Sequence, residues 1–217
     1  MPKVVNHEEQ RAGFVTASWE VIAEEGLGAA TLRRVAAAAG MTTGALTHYF
    51  SDREALLVEA LRTAHFAAGA RMLRAAATAE SDRAKLSTVL HEALPLDAVR
   101  LREWRVWLAF WGEAVGNPRL RRENEERVAE WRDLLETLVA PLVEGAASSE
   151  AASAELLSLI DGLGVRLALA PRATIARERA SARSIIEHAI ARLGRHSPVC
   201  AEANEPRASS VVMRNAK

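Results

Sequence analysis

The sequence predicts an all-α protein, and three observations carry that prediction. Alanine, leucine, arginine and glutamate dominate the chain, and all are good helix formers. Aromatic residues make up only 5% and β-branched residues are sparse, which disfavours a sheet. Apolar positions recur at i, i+3, i+4 and i+7, the spacing of a helix buried on one face. With 217 residues and 49% hydrophobic content, the chain is long enough to bury one or two cores.

The elements follow in order. Phe14, Val15, Val21 and Ile22, with Trp19 among them, mark a first helix ending near Glu25-Gly26. A short linker, Gly26–Ala30, comes next. Thr31 suits the N-cap of a second helix, Leu32–Ala39, which Gly40 stops. Thr42 or Thr43 caps a very short third helix running to about Tyr49. A fourth starts at Arg53 and extends to roughly Ala79. Pro95, Pro118, Pro141 and Pro171 then punctuate the chain at helix boundaries. Helices are expected at about 82–93, 97–115, 118–143, 150–169 and 172–194. From His196 onward no period is visible, and a flexible tail is expected over 196–217.

Charge and composition exclude several classes. The 28 basic residues balance 28 acidic ones, so the chain is not a generally basic nucleic-acid binder. Through Leu61 there are five basic residues against eight acidic; within 31–53 there are three against one. Any DNA-binding patch must therefore be local. One cysteine, Cys200, permits no intrachain disulfide and suits a reducing compartment. No apolar run approaches the ~20 residues that span a bilayer, and the first residues lack a signal-peptide core. A cytoplasmic protein without a membrane role is expected. No metal-ligand spacing, phosphate-binding glycine loop or nucleophile elbow occurs, so neither enzyme, metal nor cofactor is expected.

The segment Thr31–Phe50 carries the functional signal. Two short helices flank a glycine-containing turn, as a helix-turn-helix requires. Val35, Ala36, Ala39, Met41 and Leu46 form a small apolar seam that lets the helices cross closely. The second of them holds little core and carries polar groups instead: Thr42, Thr43, Thr47, His48 and Tyr49. Such side chains reach phosphates and base edges in a major groove.

These elements resemble the TetR family of bacterial regulators. The matching pieces are Gly26, the Thr-x-Arg-x-Val-Ala-x-x-Ala-Gly run of 31–40, the Gly-x-Leu-x-x-Tyr-Phe run of 44–50, and Arg53-Glu-Ala-Leu-Leu57. The order Leu46-Thr47-His48-Tyr49-Phe50 and the stretches Trp107–Trp111 and Asn117–Arg122 are similar to the choline-responsive, BetI-like subgroup. The resemblance implies a DNA-binding domain over 1–54 and a ligand-binding and dimerisation domain over 55–195. It implies DNA contacts at Thr31, Arg33, Thr42, Thr43, Gly44, Ala45, Thr47, His48, Tyr49 and Arg53, with Arg53 anchoring the DNA backbone. It also implies a homodimer on a near-palindromic operator, usually released by a small-molecule effector that shifts the fourth helix.

Trp104, Trp107 and Trp111 share one helix face, with Phe110 beside them and Trp131 on the next helix. Two readings fit: ordinary core, or an aromatic pocket that also draws in Phe66 and Met72. Such a pocket suits a quaternary ammonium by cation–π attraction, and equally a flat apolar ligand. Glu113, Asp161 and Arg166 are polar groups on otherwise apolar helices. The eighth helix is apolar on more than one face, so Leu159, Leu163, Arg166 and Leu167 are expected at a dimer interface with Ile186 and Ile190. A helical ligand-binding or interaction protein without operator binding is the alternative.

Overall fold

The computed structural model describes residues 7–194, and all of its regular elements are helical. The expected tail and Cys200 lie outside the described residues. Helix α1 (His7–Glu25) buries Phe14, Val15, Val21 and Ile22. It stops at Gly26, whose φ of 85° is the left-handed value that glycine adopts without strain. The expected plain linker instead forms a 3₁₀ turn over Leu27–Ala29, which buries Leu27.

Helix α2 (Leu32–Ala38) is capped by Thr31, whose Oγ1 accepts from the Arg34 N–H at 3.2 Å. Gly40, at φ 65°, turns the chain into α3 (Thr43–Tyr49). There Thr42 caps by accepting from Ala45 N–H at 3.1 Å. Each such cap contributes about 1 kcal/mol to a helix too short to persist alone. Asp52 caps α4 (Arg53–Ala76), and Ser81 and Asp97 cap α5 (Asp82–Ala93) and α6 (Ala98–Ala114). Asn117 caps α7 (Pro118–Val139), which has proline in its first turn and ends in a 3₁₀ turn, Ala140–Leu142. Helices α8 (Ala146–Leu169) and α9 (Ile175–Arg192) close the bundle. Helix α8 begins four residues before the expected 150. Helix α9 begins later than 172, because Pro171 O accepts from both Thr174 and Ile175 N–H and makes a turn there. Among the described residues no helix is long and apolar enough to cross a membrane.

Two cores form. The head core joins Phe14, Val35, Leu46, Phe50, Leu56, Leu57 and Leu61 to Val106, Phe110, Ala114 and Leu120. The bundle core holds Met72, Leu86, Leu90, Leu135, Leu156, Ile160 and Ile186, with Trp104. Helices α4, α6 and α7 thus contribute to both. Three lengths of rigid helix, rather than a flexible linker, join head to bundle.

The buried faces correct part of the expected dimer interface. Leu163, Leu167, Ile186 and Ile190 are all buried within the chain itself. Leu163 and Leu167 continue the inward stripe of Leu156 and Ile160 at i+3, i+4 and i+7, so they serve the monomer core. The face of α8 left outside carries Ser158, Gly162, Arg166 and Leu169, with Leu159 at its edge.

Candidate functional site

The head presents α3 outward. Only Leu46 in this helix is fully buried, and it anchors the helix to Phe14 and Val35 in the head core. Thr42, Thr43, Gly44, Thr47 and His48 are exposed; Ala45 and Tyr49 are partly so. Thr31 and Arg33 are exposed on α2. Arg33 has no ion-pair partner among the described residues, whereas Arg34 is held by both carboxylate oxygens of Glu25. The arginine at position 33 is thus the free cation of this pair. Glu25 is neutralised, which eases the acidic excess of the first helix. Tyr49 packs on Phe14 at 5.9 Å between ring centroids, and its hydroxyl donates to Gln10 Oε1 at 2.8 Å. Its oxygen also lies 2.7 Å from His7 Nδ1. Tyr49 therefore positions α3 against α1 as well as facing outward.

Arg53 does not stand where the sequence reading put it. Its guanidinium turns inward: Nη2 donates to Leu27 O at 2.6 Å, Nε to Ala30 O at 3.0 Å, and Nη1 to Glu113 at 3.2 Å. The open carbonyls of the 3₁₀ turn attract a cation with several donors, and arginine supplies a planar fork. Arg53 consequently ties the head to α6. Further polar ties run alongside: Asn117 Nδ2 donates to Glu54 at 2.7 Å, and Arg119 pairs with Asp52 at 3.2 Å.

The bundle encloses a cavity of about 140 Å³ between α4, α6, α7 and α8. Trp104, Trp107, Trp111 and Trp131 line it together with Met72. Trp104 and Trp111 meet edge to face at 5.9 Å, and His65 meets Trp107 likewise at 6.2 Å. Two expected lining residues are elsewhere. Phe110 is buried in the head core, because it sits about 100° around the helix from Trp111. Phe66 is 60% exposed and lies under the Arg127 guanidinium, outside the lining.

Most charges around the cavity are already neutralised. Arg71 grips Glu103 with two hydrogen bonds of 2.6 and 2.8 Å and reaches Glu92 at 3.2 Å. Arg127 lies among Glu123, Glu126 and Glu130 at 3.3, 3.4 and 3.0 Å. His65 Nε2 is 2.9 Å from Glu130, yet burial holds its pKa below the ordinary histidine value. Three polar groups are left over. Trp111 Nε1 and Asn124 Oδ1 are buried without a hydrogen-bond partner. The Asp161 carboxylate has no hydrogen-bond or ion-pair partner among the described residues, and burial pushes its pKa up to about 6. Asn124 and Arg127 escape sequence reading, because α7 is so densely charged that no single polar residue stands out. Asp161 does stand out, as the first charge in an apolar run.

The raised Asp161 pKa has a stability consequence. An unfolded aspartate titrates near ~3.9, so the folded state holds the proton longer than the unfolded state. Native stability is then greatest below about pH 4, falls as pH rises through 4–6, and stays lowered above 6. The loss is on the order of 2 kcal/mol once partial solvent access is allowed for. Asp161→Asn should raise the melting temperature by about 4 °C at pH 7.5 and leave it unchanged at pH 4. Equal shifts at both pH values would show that desolvation of the charge is not the cause.

A helix-turn-helix head locked by polar ties to a helical bundle with an aromatic cavity defines a DNA-binding regulator that responds to small molecules. Comparison with known proteins agrees. Residues 14–60 match the model of the bacterial tetR-family regulatory proteins, and residues 82–195 match that of the BetI-type transcriptional repressor C-terminal domain. The chain belongs to the TetR family of transcriptional regulators, with a BetI-type C-terminal domain. It is 35% identical over 173 residues to the HTH-type transcriptional regulator BetI of Burkholderia mallei, covering 78% of this chain and 87% of that one. A Rhodococcus transcriptional regulator superposes with a TM-score of 0.71 at 26% identity, over 84% of this chain and 97% of that one. A regulator from Saccharomonospora viridis, solved in complex with choline, gives 0.72 at 24% identity over 83% and 97%.

Proposed function

We propose that the protein is a homodimeric repressor that holds a near-palindromic operator through α3 of each protomer. An organic ammonium compound in the tryptophan-lined cavity releases it. The observation that carries this reading is the double role of α6. The helix that supplies Trp104, Trp107 and Trp111 to the cavity also supplies Val106, Phe110 and Glu113 to the head. A ligand that favours a different setting of α6 therefore biases the head, and DNA weakens that ligand by the same factor.

The ligand class rests on the lining. Tryptophan faces attract a desolvated cation by about 2 kcal/mol each in favourable geometry. The choline complex of the Saccharomonospora regulator supports the same class. The orphan Trp111 N–H and Asn124 carbonyl oxygen suit a ligand with a hydroxyl end, which accepts from one and donates to the other. On the DNA side, Arg33, Thr43, Thr47 and His48 are the contacts supported by exposure, with Gly44 and Ala45 allowing close approach of the helix to bases. The outer face of α8, with Leu159, Gly162, Arg166 and Leu169, supports pairing with a second copy about a two-fold axis. Action on an operator is consistent with a cytoplasmic location.

The test is gel-shift binding to the DNA flanking its own gene at ~150 mM salt, where specific and non-specific binding separate. A discrete dimer shift is expected, weakened at least about tenfold by Arg33→Ala with Thr43→Ala, and released by choline. A shift that the double variant leaves unchanged would move the DNA contacts away from α2 and α3. Absence of binding across a genomic fragment library would favour a ligand-binding protein without an operator.

A further inference from the structure

We propose that Asp161 is the specificity-determining residue of the cavity, selecting a ligand with a single positive charge over a neutral ligand of the same shape. The inference rests on the ammonium reading above and assigns it to one side chain. The argument is a charge balance around the cavity. From α4, Arg71 is matched by Glu103 and Glu92, and His65 faces Glu130. From α6, Glu103 is consumed by Arg71. From α7, Arg127 is surrounded by Glu123, Glu126 and Glu130. Helix α8 contributes only Asp161 to the charged lining, beside the apolar Leu157 and Ile160. Every other formal charge at the wall has an opposite charge within bonding distance. Asp161 has none among the described residues.

An isolated carboxylate in an aromatic cavity is unfavourable in the empty protein. A cation entering beside it relieves that cost, whereas a neutral ligand leaves it in place or adds to it by expelling water. The same carboxylate disfavours an anion by like charge. The aromatic rings alone supply cation–π attraction, which is a smaller and less selective effect than a full opposite charge at reduced dielectric. Ionisation of Asp161 then sets the response. A proton on the carboxyl removes the selecting charge, so cation affinity falls as the pH drops through the group's raised pKa.

The experiment is calorimetric titration of the full chain with choline and with 3,3-dimethyl-1-butanol, which replaces the ammonium nitrogen by carbon at nearly constant shape. Wild type, Asp161→Asn and Asp161→Glu are compared at pH 7.5 and pH 5.0. In wild type a preference for choline of at least about tenfold is expected at pH 7.5, shrinking several-fold at pH 5.0. In Asp161→Asn the preference should collapse to within about threefold at both pH values, with binding of the neutral alcohol retained. Asp161→Glu should restore part of the preference, which a purely structural role would not do. A thermal melt confirms that each variant is folded. If wild type binds choline and Asp161→Asn keeps the full preference, the assignment of Asp161 is overturned and the ammonium reading stands. If folded wild type binds neither compound, both fall together.

Discussion

Arg53→Ala is expected to loosen the reading head without changing how steeply operator affinity falls with salt. The side chain donates to Leu27 O, Ala30 O and Glu113, and α4 delivers it there from its first turn. Alanine leaves two backbone carbonyls of a half-buried turn without their cation. Hydrogen bonds to a charged donor are worth ~1.5–3 kcal/mol each, and with partial rehydration the loss should total about 2–4 kcal/mol. A residue that merely neutralised a phosphate would behave otherwise. Its removal would leave the melt unchanged and reduce the salt slope by about one. Thermal melting together with operator binding at several salt concentrations separates the two. A stable variant with a flatter slope would return Arg53 to the DNA. Arg53→Lys should rescue little, since one ammonium cannot span the three acceptors that the guanidinium fork reaches.

Gly164→Ala should be the most damaging single-methyl change in the bundle. A β-carbon there would lie 1.9, 2.1 and 2.3 Å from three ring carbons of Trp104. The ring has little room to retreat. It is 7% exposed, its Nε1 donates to Ala93 O at 2.8 Å, and its edge meets Trp111. Overpacking of this kind costs at least ~3 kcal/mol, and relief requires Trp104 to leave the cavity wall. Both melting temperature and ligand affinity should drop. Gly112→Ala on α6 is the matched control. Nothing lies within 4 Å of its added methyl group, so the ordinary helix preference for alanine should stabilise it by about 0.5–1 kcal/mol. Opposite signs for the two variants are expected in paired melts; a well-tolerated Gly164→Ala would mean that the Trp104 ring is free to move.

The proximity of Trp104 to Gly164 also connects the cavity to the outer surface of α8. The glycine lets an indole ring pack directly on the helix backbone, while Gly162, two residues earlier, faces outward with nothing near it. Either glycine permits close approach of a neighbouring group. Only the packing shows that one is filled from inside the chain and the other is left open on the outer face of α8.

Much of the head was readable from the chain. Thr31, Gly40, Thr42 and Asp52 act through neighbours one to four residues away, so capping and turn are written in local spacing. The stripe of tryptophans on α6 was equally local, and it placed three rings on one face correctly. The expected aromatic set failed at Phe66 and Phe110 for a geometric reason. Phe110 adjoins the stripe in sequence yet lies about 100° away in helical angle, while Phe66, on α4, turns out to solvent under Arg127; aromatic character does not say which core, if any, a ring enters.

By itself the sequence determined the all-helical class, the order and near-boundaries of its helices, the turn between α2 and α3, and the outward residues of the reading helix. These depend on hydrogen bonds and side-chain contacts within one or two helical turns. The tertiary structure alone decided four things. Arg53 bonds to carbonyls more than twenty residues earlier and to a carboxylate sixty residues later. Leu163, Leu167, Ile186 and Ile190 face inward. The wall charges of the cavity pair off among four helices. Asp161 is left without a partner. Each of these turns on which surfaces meet across the bundle, and an apolar or charged side chain carries no local mark of the distant group it will find.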